Sequence, residues 1–303
     1  MQLTRDRLLD AYRKMRMIRG FEEQLQELVL AGKMAGFLHL YAGEEAVAAG
    51  VCAHLDARDW VASTHRGHGH CIAKGVGVAG MMAELFGRKT GLCKGKGGSM
   101  HIADMDRGML GANGIVGAGI PLATGAALTA QIKKTGGVGV AFFGDGASNQ
   151  GQFHESLNMA QNWKLPALYV VENNGWGEFT PTAFVVPVAD IAERARSYAM
   201  RGEIADGMDF FDVYEKAGRA IEHARRGEGP TLLECKTYRF HGHYVGDTMV
   251  YRPKEQAEQW KQRRDPLDRF ERRVVEAGLL DGDELRRLDG DLDPGELRAG
   301  FRD

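Results

Sequence analysis

The chain has 303 residues, 44 % of them hydrophobic, which suits one large α/β domain or one domain with an appendage. Its formal net charge of −2 calls for no nucleic-acid partner, and no apolar run is long enough to span a membrane. Four scattered cysteines, at 52, 71, 93 and 235, imply neither a disulfide framework nor a metal pair. The start, MQLTRDRLLDAYRKM, is charged and helix-like and leads into no signal-peptide core, so a cytoplasmic protein is the simplest reading. Glycine, at 41 residues, exceeds its usual share of about 7 %. It gathers in non-periodic runs that suit close backbone approach to a cofactor or another chain.

Thr4 can cap a first helix, with Leu8, Leu9, Tyr12, Met15, Ile18, Phe21, Leu25 and Leu28 along its apolar face and Gly32 beyond its end. His39 sits in the bend-like GFLHLYAGEEA, ahead of a second helix over 44–54. ASTHRGHGHCIAKG then holds three histidines and Arg66. No nearby Cys, Asp or Glu completes a zinc set, whereas a guanidinium fork with glycines around it suits phosphate, and His68 is expected to line the same site. The lysines of RKTGLCKGKGGSMH lack the interleaved aromatics of a nucleic-acid surface and read as a structural loop. MLGANGIVGAGIPLATGAALTAQI reads as a tightly packed helix start, with Pro121 able to open the helix.

The stretch VGVAFFGDGASNQGQFHESLNMAQNWKLPALYVVENNGWGEFT follows. Its apolar runs 138–143 and 168–171 predict two buried strands. Between them Phe153, Leu157, Met159 and Ala160 mark a helix face. The strands end in Gly144-Asp145-Gly146 and Glu172-Asn173-Asn174. The carboxyl ends of parallel strands are where open α/β sheets bind ligands. Asp145 and Asn174 there offer hard oxygen atoms that suit Mg²⁺ or Ca²⁺ far better than zinc. The flanking glycines would let a phosphate approach the backbone, and the N-terminus of the following helix would favour an anion. Gly-Asp-Gly and Asn-Asn-Gly are also common turns.

Beyond Pro187, 188–200 and 210–230 read as helices and 232–235 as a short strand leading into KTYRFHGHYVGDTMVYRP. The end is charged. Leu267, Phe270 and Val274 mark one helix, and the pattern weakens beyond Gly290. This divides the chain into an α/β domain over 1–253 with an N-terminal packing helix, and a short helical, charged extension over 254–303.

Gly-Asp-Gly at 144–146 closing on Asn-Asn at 173–174 resembles the thiamine diphosphate motif. With GFLHLYAGEEA, His65-Arg66, GKGGSMH, Gly114-Ile115-Val116 and TYRFHGH, the chain is similar over nearly its whole length to the alpha subunits of the thiamine-dependent first component of 2-oxo acid dehydrogenase complexes. The resemblance implies the thiamine diphosphate-binding fold, α/β with a mostly parallel sheet flanked by helices. It implies thiamine diphosphate and Mg²⁺ as cofactors, with Asp145, Asn174 and the backbone carbonyl of Trp176 on the metal. His65 and Arg66 would hold the terminal phosphates beside Gly144 and Gly146. Backbone groups of Gly114 and Val116 would take the aminopyrimidine ring. Arg239 and His243 would lie over the diphosphate. His39 and His243 would act on substrate oxygens.

The same resemblance implies a separate beta subunit that supplies an activating glutamate, in an α₂β₂ heterotetramer, and a lipoyl-bearing transacetylase that takes the acyl fragment. THRGHGHCIAKG, SMHIADMDRGMLGANGIVG and FFGDGASNQGQFHESLNMA look most like the acetoin dehydrogenase branch. Pyruvate or a branched-chain 2-oxo acid is the alternative substrate. A transketolase-like enzyme or a non-catalytic paralogue is the alternative class. Animal mitochondrial pyruvate members carry a phosphorylated serine where this chain has Tyr244, which speaks against that regulation here. Related subunits often carry a further long helix after 290, and the chain looks shortened there. The loop 245–252 has the composition of one that orders on cofactor binding.

Overall fold

A computed structural model describes residues 3–291. The expectation about the segment after 290 therefore falls almost wholly outside the described residues. The described residues form eight strands: β1 Trp60–Ala62, β2 Met109–Gly111, β3 Gly139–Gly144, β4 Ala167–Asn173, β5 Trp176–Gly177, β6 Thr180–Pro181, β7 Arg201–Asp206 and β8 Thr231–Lys236. Six make one parallel sheet in the order β2-β1-β3-β4-β8-β7, and β5 and β6 form a small antiparallel hairpin. The helices are α1 Arg5–Leu30, α2 Glu45–Cys52, α3 His68–Lys74, α4 Val78–Leu85, α5 Gly119–Lys133, α6 Gly151–Asn162, α7 Thr182–Val185, α8 Phe210–Arg225, α9 Lys254–Arg264, α10 Pro266–Glu276 and α11 Gly282–Asp291.

The sheet is covered on both faces, which is why its central strands are almost continuously apolar. Alternate residues go to opposite sides. Val140 and Phe142 of β3 join one core with α1, α2, α3, α4 and α8, while Ala141 and Phe143 join the other with α5 and α6. A third apolar cluster sets Leu8, Tyr12 and Met15 of α1 against Leu267, Phe270 and Val274 of α10 and Leu285 of α11, with the Tyr12 and Phe270 rings 5.8 Å apart. Arg19 ties the two regions together by pairing with Glu45 and Asp265. Thr4 accepts the Arg7 amide at the start of α1, as its sequence predicts.

Several local expectations need correction. The segment after Gly144 is a 3₁₀ turn, Asp145–Asn149, and α6 begins only at Gly151, so no α-helix N-terminus follows the motif directly. Residues 191–198 are also 3₁₀. Glu234 Oε2 accepts the Ala192 amide at 2.8 Å and Arg194 holds Asn149 at 2.9 Å, so tertiary anchors override the local helical pattern. Met159 is exposed rather than part of the buried face of α6. Strands β1, β2, β5, β6 and β7 have no counterpart in the sequence reading.

Candidate active site

From β3 the chain runs to β4 on one side of the sheet, while β1 and β2 lie on the other, which places a topological switch at β1–β3. A cavity of about 450 Å³ opens at the carboxyl ends of β1, β3 and β4. Its wall includes Ser63, Thr64, His65 and Arg66 after β1, Gly144 to Ala147 after β3, and Asn174 and Trp176 after β4. Arg239 and His243 arrive from the segment after β8, and His39 and Glu44 from the segment before α2. Gly114 and Val116 close another side. The twelve residues that the family resemblance assigns to the site thus line one cavity.

The segments that meet here are stitched by backbone bonds. Phe240 N–H donates to Ala42 O at 3.0 Å and Val245 N–H to Leu38 O at 2.9 Å. Gly43 makes the approach possible, with φ +104° and a hypothetical Cβ only 2.3 Å from Tyr238 O. In parallel register Gly144 lies opposite Glu172, so Asp145 and Asn174 leave adjacent strands side by side. Asp145 is buried. Its Oδ1 accepts the Gly146 amide at 2.9 Å and its Oδ2 the Thr182 hydroxyl. Burial raises its pKa, while the Thr182 and Gly146 hydrogen bonds act against that rise.

Asn174 donates from Nδ2 to Glu44 Oε1 at 3.0 Å and accepts the Trp176 amide on Oδ1 at 3.2 Å. Trp176 pairs with Pro181 across the β5–β6 hairpin. Proline has no N–H, so Pro181 cannot consume the Trp176 carbonyl. The Val116 carbonyl already accepts Gln152 Nε2 at 2.9 Å.

Arg66 is buried and directed by carbonyls: Nη1 donates to Leu40 O at 2.6 Å and Nη2 to His243 O at 3.0 Å. Burial lowers its pKa to about 10, partly offset by Glu44. Arg239, also buried, donates from Nη2 to Glu178 O and Tyr251 OH, and its Nη1 stands beside His243. His39, His65 and His243 group with ring centroids 4.6 to 5.3 Å apart. Burial, then the Arg66 charge, holds all three well below the ordinary histidine value, so they are neutral near pH 7. Their nitrogens lie within 4.8 Å of one another. Arg66 and Arg239 crowd this trio with positive charge, which opposes a cation and favours oxygen-rich ligands.

The expectation that His68 lines this site is wrong. His68 turns inward on α3 to Glu22 at 3.1 Å and Ser99 at 2.9 Å. His70 is likewise spent, on Ser63 at 2.7 Å and Glu172 at 2.9 Å. Sequence reasoning missed Glu44 and Glu172. Both are buried carboxyl groups in the cavity wall, and Glu172 also accepts the Tyr41 hydroxyl. Burial and the neighbouring Glu172 push Glu44 up to about 8, against the opposing pull of Arg66. Their signals were the paired glutamates before an Ala-rich buried helix and the glutamate directly preceding Asn-Asn.

A diphosphate with a hard divalent cation fits this donor set. Oxygen donors and guanidiniums face one space, and a Cβ on Gly144 would meet nothing within 4 Å. Three buried polar atoms without partners, His39 Nδ1, Glu44 Oε2 and Arg239 Nε, belong to residues in this wall. Buried polar groups are rarely left unpaired without a functional reason.

The sequence model of the dehydrogenase E1 component family matches residues 13–293. The alpha subunit of acetoin:2,6-dichlorophenolindophenol oxidoreductase from Bacillus subtilis is 57 % identical over 270 residues, covering 89 % of this chain and 81 % of the relative. Its counterpart from Cupriavidus necator is 51 % identical over 290 residues, covering 96 % and 87 %. The pyruvate dehydrogenase E1 component alpha subunit of Rhizobium meliloti is 42 % identical over 284 residues, covering 94 % and 82 %. The chain belongs to the dehydrogenase E1 component family, whose members are thiamine diphosphate-dependent oxidoreductases.

Proposed function

We propose that this chain is the alpha subunit of an enzyme that cleaves acetoin oxidatively, with thiamine diphosphate and Mg²⁺ held in the cavity. The observation that carries the reading is the convergence of all twelve motif residues on one cavity, with three unpartnered buried polar atoms among its wall residues. The acetoin assignment rests on 57 % and 51 % identity to acetoin oxidoreductase alpha subunits, against 42 % to a pyruvate dehydrogenase alpha subunit.

In this reading thiamine diphosphate supplies the carbon nucleophile for cleavage of the bond beside a carbonyl. Asp145, Asn174 and the Trp176 carbonyl would hold the metal, whose charge would offset that of the diphosphate. Arg66, oriented by two backbone carbonyls, and Arg239 neutralise the diphosphate beside His65. Gly144 and Gly146 leave room for the phosphates, and Gly114 and Val116 present backbone to the aminopyrimidine. His39 and His243, kept neutral, orient substrate oxygens by hydrogen bonds. A beta subunit supplies the glutamate that completes the site, in an α₂β₂ assembly. A lipoyl-bearing transacetylase accepts the acetyl-level fragment. The complex works in the cytoplasm. Among the described residues no helix is long and apolar enough to cross a membrane.

The test is turnover by the chain co-purified with its beta-type partner, given thiamine diphosphate, Mg²⁺ and an artificial electron acceptor. Acetoin, pyruvate and branched 2-oxo acids are compared side by side. Preference for acetoin is expected. Preference for a 2-oxo acid would move the substrate and keep the site. Failure of the loaded complex on all three would overturn the reading.

A further inference from the structure

Glu44 occupies an unusual place. It is 1 % exposed, opens α2 from the cavity wall, and approaches both Asn174 and Arg66. Its Oε1 accepts Asn174 Nδ2 at 3.0 Å, and its Oε2 lies 3.8 Å from Arg66 Nε with no hydrogen-bond partner. A buried carboxyl oxygen without a donor is costly unless a ligand brings one.

We infer that Glu44 is a positioning residue for the metal, one that sets the Asn174 amide with its oxygen toward the cation and takes a metal-bound water on its own free oxygen. The inference rests on the functional reading above.

A primary amide presents a donor at one end and an acceptor at the other, and the two ends are nearly equal in size and shape. Only partners decide which end faces the cavity. Trp176 N–H is an obligate donor and claims one lone pair of Oδ1 at 3.2 Å. Glu44 Oε1 is an acceptor whether or not Oε2 carries a proton, so it claims Nδ2. The second lone pair of Oδ1 is left for the cation. A flipped amide would aim its NH₂ at the metal and set a donor against the Trp176 amide. Mg²⁺ keeps several of its waters when it binds, and such waters need acceptors. Glu44 Oε2 is a buried oxygen without a protein partner, on the residue that holds Asn174, the place that carboxyl groups behind metal ligands commonly take.

The experiment uses the full chain assembled with its partner. Mg²⁺ affinity in the presence of thiamine diphosphate is measured by calorimetry for the wild type, Glu44→Gln, Asn174→Ala and the double variant. Unfolding midpoints are measured without cofactor. Glu44→Gln keeps size and removes a buried ionisable group, so its midpoint should match or exceed the wild type. Its Mg²⁺ affinity should fall by about 10–100-fold. In the Asn174→Ala background the same change should cost much less, because the residue acts through Asn174. Glu44→Ala takes its place if the glutamine variant assembles poorly.

Unchanged affinity in Glu44→Gln overturns the inference. So does a parallel loss of stability and affinity, or a full additive loss on Asn174→Ala. A wild-type complex that shows no Mg²⁺-dependent binding overturns the functional reading and this inference with it. A wild type that binds beside a Glu44→Gln variant that binds equally well overturns this inference alone.

Discussion

Arg239 Nη1 lies 3.3 Å from His243 Nδ1, and this contact decides which imidazole nitrogen carries the proton. A guanidinium only donates, so Nδ1 must accept. Burial, followed by the charges of Arg66 and Arg239, lowers the His243 pKa to about 3, so the ring is neutral at working pH. Its single proton then sits on Nε2. Under the proposed function, His243 would therefore act as a hydrogen-bond donor to a substrate oxygen rather than as a base through Nε2. His243→Ala is expected to lower turnover by about 10²–10³-fold, the usual cost of removing one preorganised hydrogen-bond donor. Steady-state kinetics of the assembled enzyme would show it, and unchanged turnover would remove His243 from the mechanism.

The neutral histidines also set a pH dependence. His39, His65 and His243 are held at about 3, 2 and 3 by burial first and then Arg66. In the unfolded chain they take up protons below about pH 6.5. The unfolded state therefore binds more protons between about 6.5 and 3, and stability falls as pH falls through that window. Glu44, raised to about 8, acts the other way, because the folded state binds its proton first between about 8 and 4.5. Three groups oppose one, so acid destabilises the cofactor-free protein. His65→Gln should make the loss of denaturation midpoint shallower between about pH 7 and 5. Parallel slopes for variant and wild type would contradict this.

Glu84 organises the glycine-rich loop behind the cavity. Its Oε2 accepts the amides of Cys93 and Gly95, both at 2.8 Å, and its Oε1 those of Gly97 at 2.7 Å and Gly98 at 3.2 Å. This loop delivers Met100 to the cavity wall. Removing the acceptor strands several amides, each worth about 1–3 kcal/mol when left buried and unpaired. Glu84→Ala should cost roughly 2–4 kcal/mol in chemical denaturation, allowing for water reaching part of the loop. A loss well under 1 kcal/mol would show that the loop holds itself.

The elements that the sequence made legible are those whose pattern follows directly from burial. The central strands β3, β4 and β8 are apolar because both faces are covered, and α1 shows its buried stripe at helical spacing. The meeting of Asp145 and Asn174 was legible because Gly-Asp-Gly and Asn-Asn end adjacent parallel strands, which forces them together. Edge strand β7, RGEIAD, escaped notice because the half-buried Arg201, Glu203 and Asp206 interrupt its apolar residues, and its exposed positions are Gly202 and Ile204. Met159 fits the spacing of α6 yet lies exposed, since periodicity alone does not fix the edge of a stripe. His65, His68 and His70 are indistinguishable by type. Only the start of α3 at His68 separates the one in the cavity wall from the two turned into the core. Glu44 and Glu172 were harder to find, because the partners that keep their carboxyl groups buried come from distant elements and their local signals were weak.

The most direct test of the account is Mg²⁺-dependent binding of thiamine diphosphate to the assembled protein, measured by titration calorimetry with the wild type and Asp145→Ala. The account predicts tight binding that needs the metal in the wild type and loss of that metal dependence in the variant. Equal, metal-dependent binding by both proteins would show that the cavity at the ends of β3 and β4 does not hold the cofactor through Asp145.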